Sequence, residues 1–71
     1  MIVVAYDIPE RRRKVRRHLR KQLERWNFVR VQRSVWQTQS KLPIGFTKMI
    51  HDFDLRDSVE VYFTSDPTPE E

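Results

Sequence analysis

Residues 1–7 read MIVVAYD, and residues 8–26 continue as IPERRRKVRRHLRKQLERW. The first segment is a short β-branched run that is apolar on both faces: Ile2, Val4 and Tyr6 on one, Val3 and Ala5 on the other. A strand without polar alternation is usually covered on both sides. We therefore predict a central strand, with one face against this chain's own helices and the other against a second molecule.

The segment after this strand has the pattern of an amphipathic helix. Pro9 suits the first helical position, and Glu10 suits the first turn, where the helix dipole favours an acid. The apolar residues then form one stripe at helical spacing, consisting of Val15, Leu19, Leu23 and Trp26. We predict a helix that runs to about Arg25, is broken by Asn27, and is basic over the rest of its surface.

The remaining chain predicts three strands and one further helix. Residues 28–39 (FVRVQRSVWQTQ) alternate only in part, which indicates two short strands with a break near residues 32–34. A second, shorter helix opened by Pro43 is marked by Leu42, Phe46, Met49, Ile50 and Phe53, and is weakened by Gly45. Residues 52–57 are predicted to be an acidic loop. Residues 58–64 alternate as a last strand that points Val59, Val61 and Phe63 inward and Glu60 and Tyr62 outward.

The order β-α-β-β-α-β predicts a single α+β domain over residues 1–64 with ferredoxin-like architecture, a four-stranded antiparallel sheet with two helices on one face. Residues 65–71 contain two prolines and two terminal acids and are predicted to be a disordered tail. A chain of 71 residues without cysteine has a marginal core and no disulfides, so we expect a homodimer. No apolar run is long enough to span a membrane, and we expect a cytoplasmic location.

Charge is distributed unevenly along the chain. Residues 1–51 contain thirteen Lys and Arg against three acids, a net charge of +10, whereas residues 52–71 contain one Arg against seven acids, a net charge of −6. Ten of the fourteen cations are arginines, which bind phosphate bidentately and stack on bases. A coherent positive face indicates a nucleic-acid backbone, either RNA or DNA, as the partner. The alternative is a merely solubilising surface.

Two groups of residues carry this basic charge. The first lies on the predicted helix and comprises Arg11, Arg12, Arg13, Lys14, Arg16, Arg17, Arg20 and Lys21. Like charges one turn apart destabilise a helix, which indicates a use in contacting phosphates without sequence preference. The second group is Arg30, Gln32 and Arg33 with Trp36. It is compatible with binding a backbone and stacking a base, but Trp36 is more simply a core or dimer-interface residue.

Asp7 is the candidate for chemistry, because it directly follows the predicted first strand. Carboxylate oxygens suit Mg²⁺, and two copies of Asp7 related by a two-fold axis would make a plausible site where one would not. The alternative is that Asp7 hydrogen-bonds the N–H groups at the start of the helix. His18 and His51 lie too far apart in the sequence to match the spacing of a metal-binding motif. Gly45 is the only glycine, so the chain has no glycine-rich phosphate-binding loop, which argues against a nucleotide-dependent enzyme.

Four segments occur together in a characteristic order: MIVVAYDIP at residues 1–9, RRRKV at 11–15, RVQRSVW at 30–36 and DSVEVY at 57–62. In combination they resemble the CRISPR-associated endoribonuclease family, the smaller of the two universal spacer-acquisition proteins, over roughly residues 1–64. The resemblance implies a ferredoxin-like homodimer in which Asp7 of each protomer shares a Mg²⁺ and supports phosphodiester cleavage. Positions that match the family's functional set are Tyr6, Arg12, Lys14, Arg30 and Trp36.

These arguments together assign three kinds of candidate residue. Asp7 is the catalytic and metal-binding candidate, and Trp36 is the interface candidate. The nucleic-acid-binding candidates are Tyr6, Arg11, Arg12, Arg13, Lys14, Arg16, Arg17, Arg30 and Arg33. The resemblance implies a Mg²⁺-dependent endonuclease or a non-catalytic DNA-binding scaffold that bridges integrase dimers. A toxin-like ribonuclease of a toxin–antitoxin pair has the same fold and is the third alternative.

Overall fold

The computed structural model describes residues 1–64, which form a four-stranded antiparallel sheet with two α-helices. The elements are β1 (Ile2–Tyr6), a 3₁₀ turn (Glu10–Arg12), α1 (Arg13–Arg25), β2 (Val29–Gln32), β3 (Val35–Thr38), α2 (Phe46–Asp52) and β4 (Val59–Phe63). The strands lie in the order β2-β3-β1-β4. The predicted ferredoxin-like α+β fold is confirmed, while the predicted disorder of residues 65–71 concerns a segment outside the described residues.

β1 is central, and its alternation separates the two faces of the sheet. It pairs antiparallel with β3 on one side and with β4 on the other. Ile2, Val4 and Tyr6 are buried in one core cluster together with residues of both helices, whereas Val3 and Ala5 are only half-buried on the opposite face. That opposite face, called the open sheet face below, carries neither of the described helices. The prediction that one face of this strand packs against the chain's own helices is confirmed, and the cover of the other face by a second molecule stays a prediction.

The end of α1 shows why the chain turns back into the sheet at residue 28. Asn27 adopts a left-handed conformation (φ 64°), which a short polar side chain tolerates. The Phe28 N–H then donates to the Leu23 carbonyl (3.0 Å) and the Asn27 N–H to the Glu24 carbonyl (3.1 Å), the Schellman arrangement of a helix C-terminus. Phe28 and Leu23 are both buried, so the cap also places two side chains in the core.

The C-terminal end of α2 has the same Schellman arrangement. Asp54 is left-handed (φ 53°), and the Leu55 N–H donates to the Ile50 carbonyl (2.8 Å) while the Asp54 N–H donates to the His51 carbonyl (3.1 Å). Leu55 is fully buried. The prediction of a simple acidic loop at residues 52–57 was therefore incomplete, because this turn contributes one of the best-buried side chains of the core.

α2 is shorter than its apolar pattern suggested. It begins at Phe46, and Gly45 precedes it at φ 98°, a conformation that glycine adopts without steric cost. Gly45 therefore lies before the helix and does not weaken it from within. The predicted members Leu42 and Pro43 belong to the connection that leads into the helix.

The prediction for β4 was right for its outward residues and wrong for one inward residue. Val59 is buried and Val61 is half-buried, but Phe63 is 70% exposed. β4 is an edge strand, and its first residue Val59 belongs to the core cluster with Phe46 and Met49 of α2, whereas Phe63 does not. Phe63 instead borders an open apolar groove that is shared with Leu42 and Ile50.

Among residues 1–64, neither helix has the length and apolar content needed to cross a membrane.

We expect Leu55→Ala to lower the free energy of unfolding by about 2–5 kcal/mol, because it leaves a cavity at a fully buried position. Ile44→Ala is the matched control, since Ile44 is fully exposed and its truncation should change stability by no more than about 0.5 kcal/mol. Urea denaturation of both variants at one protein concentration measures the difference. Equal stability of the two variants would show that Leu55 is not part of the core.

Candidate nucleic-acid interface

The open sheet face is apolar at its centre and polar at one edge. Ala5 lies directly opposite Val35 and Glu60, and Val3 lies directly opposite Gln37 and Tyr62. The Tyr62 hydroxyl donates a short hydrogen bond to the Glu60 carboxylate, and this bond, together with the negative charge of Glu60, raises the pKa of Tyr62. The Tyr62 hydroxyl is therefore protonated at neutral pH. Both side chains lie on the open sheet face, because Glu60 and Tyr62 are paired with Ala5 and Val3.

Asp7 lies at the end of β1 on this same side of the sheet. Its N–H donates to the Ser58 carbonyl (2.8 Å), which continues the pairing of β1 with the β4 side by one residue. Asp7 is exposed and borders a pocket of about 350 Å³ together with Ala5, Asp57 and Glu60. We call this the acidic pocket.

The alternative of Asp7 as a helix cap is wrong. The residues that flank the 3₁₀ turn and α1 at their N-terminal ends are Pro9 and Arg12, and neither position has a side-chain cap. Within residues 1–64, no hydrogen bond joins the Asp7 carboxylate to a helix N–H. The carboxylate is therefore available to a ligand at the surface.

The acidic pocket has the right donor type for Mg²⁺ but too few donors among residues 1–64. Asp7, Asp57 and Glu60 all offer carboxylate oxygens, which Mg²⁺ prefers. Within the described residues, however, no three His, Cys, Asp or Glu side chains lie close enough together to hold a metal ion. An ion at this pocket would need ligands beyond the described residues of one copy.

The basic residues of the 3₁₀ turn and α1 divide into two sets by exposure. Most point into solvent: Arg11, Arg13, Lys14, Arg17, Lys21 and Arg25. Three are half-buried: Arg12, Arg16 and Arg20. The sequence alone could not make this division, because it depends on where α2 and the β2–β3 hairpin lie beside the helix.

Arg12 is placed where it supports the fold. Its guanidinium donates to the carbonyl oxygens of Phe53 and Asp54 (3.2 Å to the latter), at the C-terminal end of α2. Cations stabilise that end of a helix, because the unpaired carbonyls carry partial negative charge. Arg12 thus joins α1 to α2, and this contact occupies donors that the sequence analysis assigned to nucleic acid.

On the other flank of α1, four arginines from two parts of the chain line one pocket of about 260 Å³. Arg16 and Arg20 come from α1, and Arg30 and Arg33 come from β2 and the turn that follows it. We call this the arginine pocket. Arg16, Arg30 and Arg33 are nucleic-acid-binding candidates from the sequence, whereas Arg20 was predicted only as one member of the basic helix surface. The spacing of Arg16 and Arg20 by one helical turn was the signal for their common flank.

Trp36 belongs to the core, and the expectation that it forms an interface is wrong. It is 2% exposed on the helix side of the sheet, because strand alternation sends position 36 to the face opposite Val35 and Gln37. Its indole N–H donates to the Tyr6 hydroxyl (3.4 Å), and the Arg30 guanidinium lies 6.0 Å from its ring centroid. Trp36 therefore positions Tyr6 and Arg30, with its own ring unavailable to a base.

Tyr6 connects the two pockets. It is only 8% exposed, yet it borders both the acidic pocket and the arginine pocket. The two charged sites consequently lie on either side of the end of β1. A sequence pattern gives no indication of this adjacency, since Asp57 and Arg33 are far apart along the chain.

The family model that matches this chain is described as the PaaX protein central Cas2-like domain, and the match covers residues 2–71. The chain belongs to this family. No curated protein and no solved structure matches it. The match confirms a Cas2-like domain with the ferredoxin-like fold described above, whereas the assignment to the CRISPR-associated family itself stays a prediction.

Proposed function

We propose that this Cas2-like domain binds the phosphate backbone of a nucleic acid and acts as a homodimer joined through the open sheet face. The observation that carries the proposal is the set of unpaired cations on the 3₁₀ turn and α1. Within residues 1–64, Arg11, Lys14, Arg17 and Lys21 are exposed and make no hydrogen bond or ion pair. Side chains of this kind make salt-dependent, sequence-independent contacts with phosphates.

The polarity of the whole domain supports the same function. The cations are concentrated on α1 and the adjoining hairpin, whereas Asp52, Asp54, Asp57 and Glu60 lie at the end of α2 and along the β4 side. Such a separation of charge orients a polyanion toward one surface as it approaches. The same uneven charge is compatible with a cytoplasmic protein that works on either RNA or DNA.

The proposed dimer follows from the exposed apolar centre of the open sheet face. Val3, Ala5 and Val35 are half-buried there, with Val29 and Tyr62 exposed beside them. A domain of this size buries too little surface to be strongly stable alone, and a second copy would cover the same apolar residues in both protomers. An isologous contact of this type would also bring the two acidic pockets toward a common axis.

Salt-dependent binding to a duplex tests the proposed interface. We expect the double variant Lys14→Gln and Arg17→Gln to reduce the slope of log affinity against log salt by about 1–2, one unit for each lost phosphate contact. Lys41→Gln with Lys48→Gln removes the same charge from the α2 side and should leave the slope unchanged. Fluorescence anisotropy across a salt series measures both, and equal slopes for the two double variants would remove α1 as the binding surface.

Sedimentation equilibrium tests the dimer. We expect Val3→Arg to raise the dimer dissociation constant by about a hundredfold or more, because Val3 lies opposite the uncharged Gln37 and Tyr62 and the variant places like charges face to face across the interface. Thr47→Arg adds the same charge on exposed α2 and should leave the dimer intact. Circular dichroism confirms that both variants are folded, and a wild-type monomer at all concentrations would exclude the proposed assembly.

Metal-dependent phosphodiester cleavage is a second candidate function, favoured by the free Asp7 carboxylate in the acidic pocket. Asp7 and Glu60, with their counterparts in a second copy, would hold the ion. A bound Mg²⁺ supplies stabilisation of charge on a phosphodiester and a lower pKa for a bound water. Within this candidate, the four sequence segments support a subunit of spacer acquisition. A DNA-binding scaffold between integrase dimers requires no cleavage, and a toxin-like ribonuclease would require RNA as the substrate.

Cleavage of labelled RNA and duplex DNA with and without Mg²⁺ distinguishes these alternatives. We expect Asp7→Asn to reduce Mg²⁺-dependent cleavage to the background without metal, because the amide removes the charge that would hold the ion. Asp54→Asn is the control, since its exposed carboxylate does not border the acidic pocket. Cleavage by the Asp7 variant at the rate of the control would rule out a metal site at this residue.

A further inference from the structure

The arginine pocket differs from the exposed, unpaired cations Lys14, Arg17 and Lys21 of α1, called the basic ridge, because four arginines border one common volume of about 260 Å³. Among the described residues, Glu10 is the one carboxylate that borders this pocket. Glu10 is already paired with Arg16 (3.0 Å) and lies 3.8 Å from Arg13 on the helix surface. Within residues 1–64, Arg20, Arg30 and Arg33 form no ion pair, so an anion at this site would not have to displace one from them.

Two of the four arginines are held in place before any ligand arrives. Arg16 donates to the Ile8 carbonyl (3.3 Å) and to Glu10, and its side chain is 34% exposed. Arg30 donates to the carbonyls of Gln32 (3.3 Å) and Arg33 (3.2 Å). Each guanidinium has five N–H donors, so both retain donors for a ligand. Fixing these side chains in advance reduces the entropy lost on binding.

The other two arginines are free to close on a ligand. Arg20 and Arg33 make no hydrogen bond from their guanidinium groups within the described residues, and they come from opposite walls of the pocket. Ser34 also borders the pocket. Two arginines held by hydrogen bonds and two with all their donors unused are suited to a compact, multiply charged oxyanion.

We propose that the arginine pocket binds a terminal phosphate monoester. A monoester group carries close to two negative charges at neutral pH and three terminal oxygens, which match several converging guanidinium groups. It also ends in the pocket, whereas an internal phosphodiester has one charge and continues along the chain on both sides. A concave pocket bordered by arginines from two parts of the chain favours the terminal group. The monoester has two possible sources, the end of a nucleic acid strand or a phosphorylated small molecule.

This inference is separable from backbone binding, because the pocket and the exposed ridge of α1 use different side chains. Backbone binding predicts affinity for any strand. The pocket predicts an additional gain that appears only when a terminal phosphate is present. The ratio of affinities with and without that phosphate is therefore the quantity to measure.

The experiment compares a 3′-labelled single strand carrying a 5′-phosphate with the same strand carrying a 5′-hydroxyl, by fluorescence anisotropy. A parallel calorimetric arm compares adenosine 5′-monophosphate with adenosine. We expect wild-type protein to prefer the phosphorylated form by about tenfold, the effect of one or two charge-assisted hydrogen bonds. Preference for the phosphorylated strand identifies a strand end as the source, and preference in the nucleotide arm alone identifies a small molecule.

The variants separate the pocket from the ridge. Arg20→Gln with Arg33→Gln should reduce the ratio to about one, whereas Lys14→Gln with Arg17→Gln should weaken both ligands equally and leave the ratio unchanged, because ridge contacts do not depend on the terminal group. A wild-type ratio of one in both arms overturns the proposal, as does a ratio that survives loss of Arg20 and Arg33. If the 5′-hydroxyl strand binds weakly but adenosine 5′-monophosphate is still preferred over adenosine, the proposed backbone binding fails and the proposal for the arginine pocket stands.

Discussion

The double pairing of β1 is the constraint on which the other features of this domain depend. Ala5 is held opposite Val35 on one side and Glu60 on the other, so the strand has neighbours that define its register along its whole length. Because side chains alternate strictly, a slip of one residue would exchange the two faces. Tyr6 would leave the core and Asp7 would leave the open side. The location of both charged pockets thus follows from hydrogen bonds between backbones.

The helix ends supply the second constraint. Asn27 and Asp54 stop α1 and α2 in the same way, and each cap is followed by a buried apolar residue, Phe28 or Leu55. The polar residue allows the left-handed turn, while the apolar one anchors the returning chain. Arg12 then ties α1 to the C-terminal end of α2. A small core of this kind relies on its turns as much as on its helices.

Burial separates arginines that look equivalent in the sequence. Arg12 has become part of the helix packing, Arg16 and Arg30 are held by backbone carbonyls, and Arg17 is free in solvent. A guanidinium group is able to serve each purpose, because its planar fork donates to carbonyls as well as to phosphates. The arginines of this domain therefore have three different structural roles and do not form one uniform basic patch. Tyr6 borders both the acidic pocket and the arginine pocket, so the two charged sites adjoin at the end of β1.

Local periodicity and turn chemistry predicted the order of elements, the two apolar faces of β1, the stripe of α1 and the break between β2 and β3. They also identified Asp7 as a carboxylate at a strand end. The packing of distant segments was needed to show which face of β1 meets the helices, that Trp36 and Leu55 are buried and that Phe63 is exposed. It also places Arg20 and Arg33 at the same pocket, and Asp7 beside Asp57 and Glu60. Contacts between distant segments depend on how the helices pack on the sheet and on the length of each helix. The periodicity of the sequence predicts neither of these.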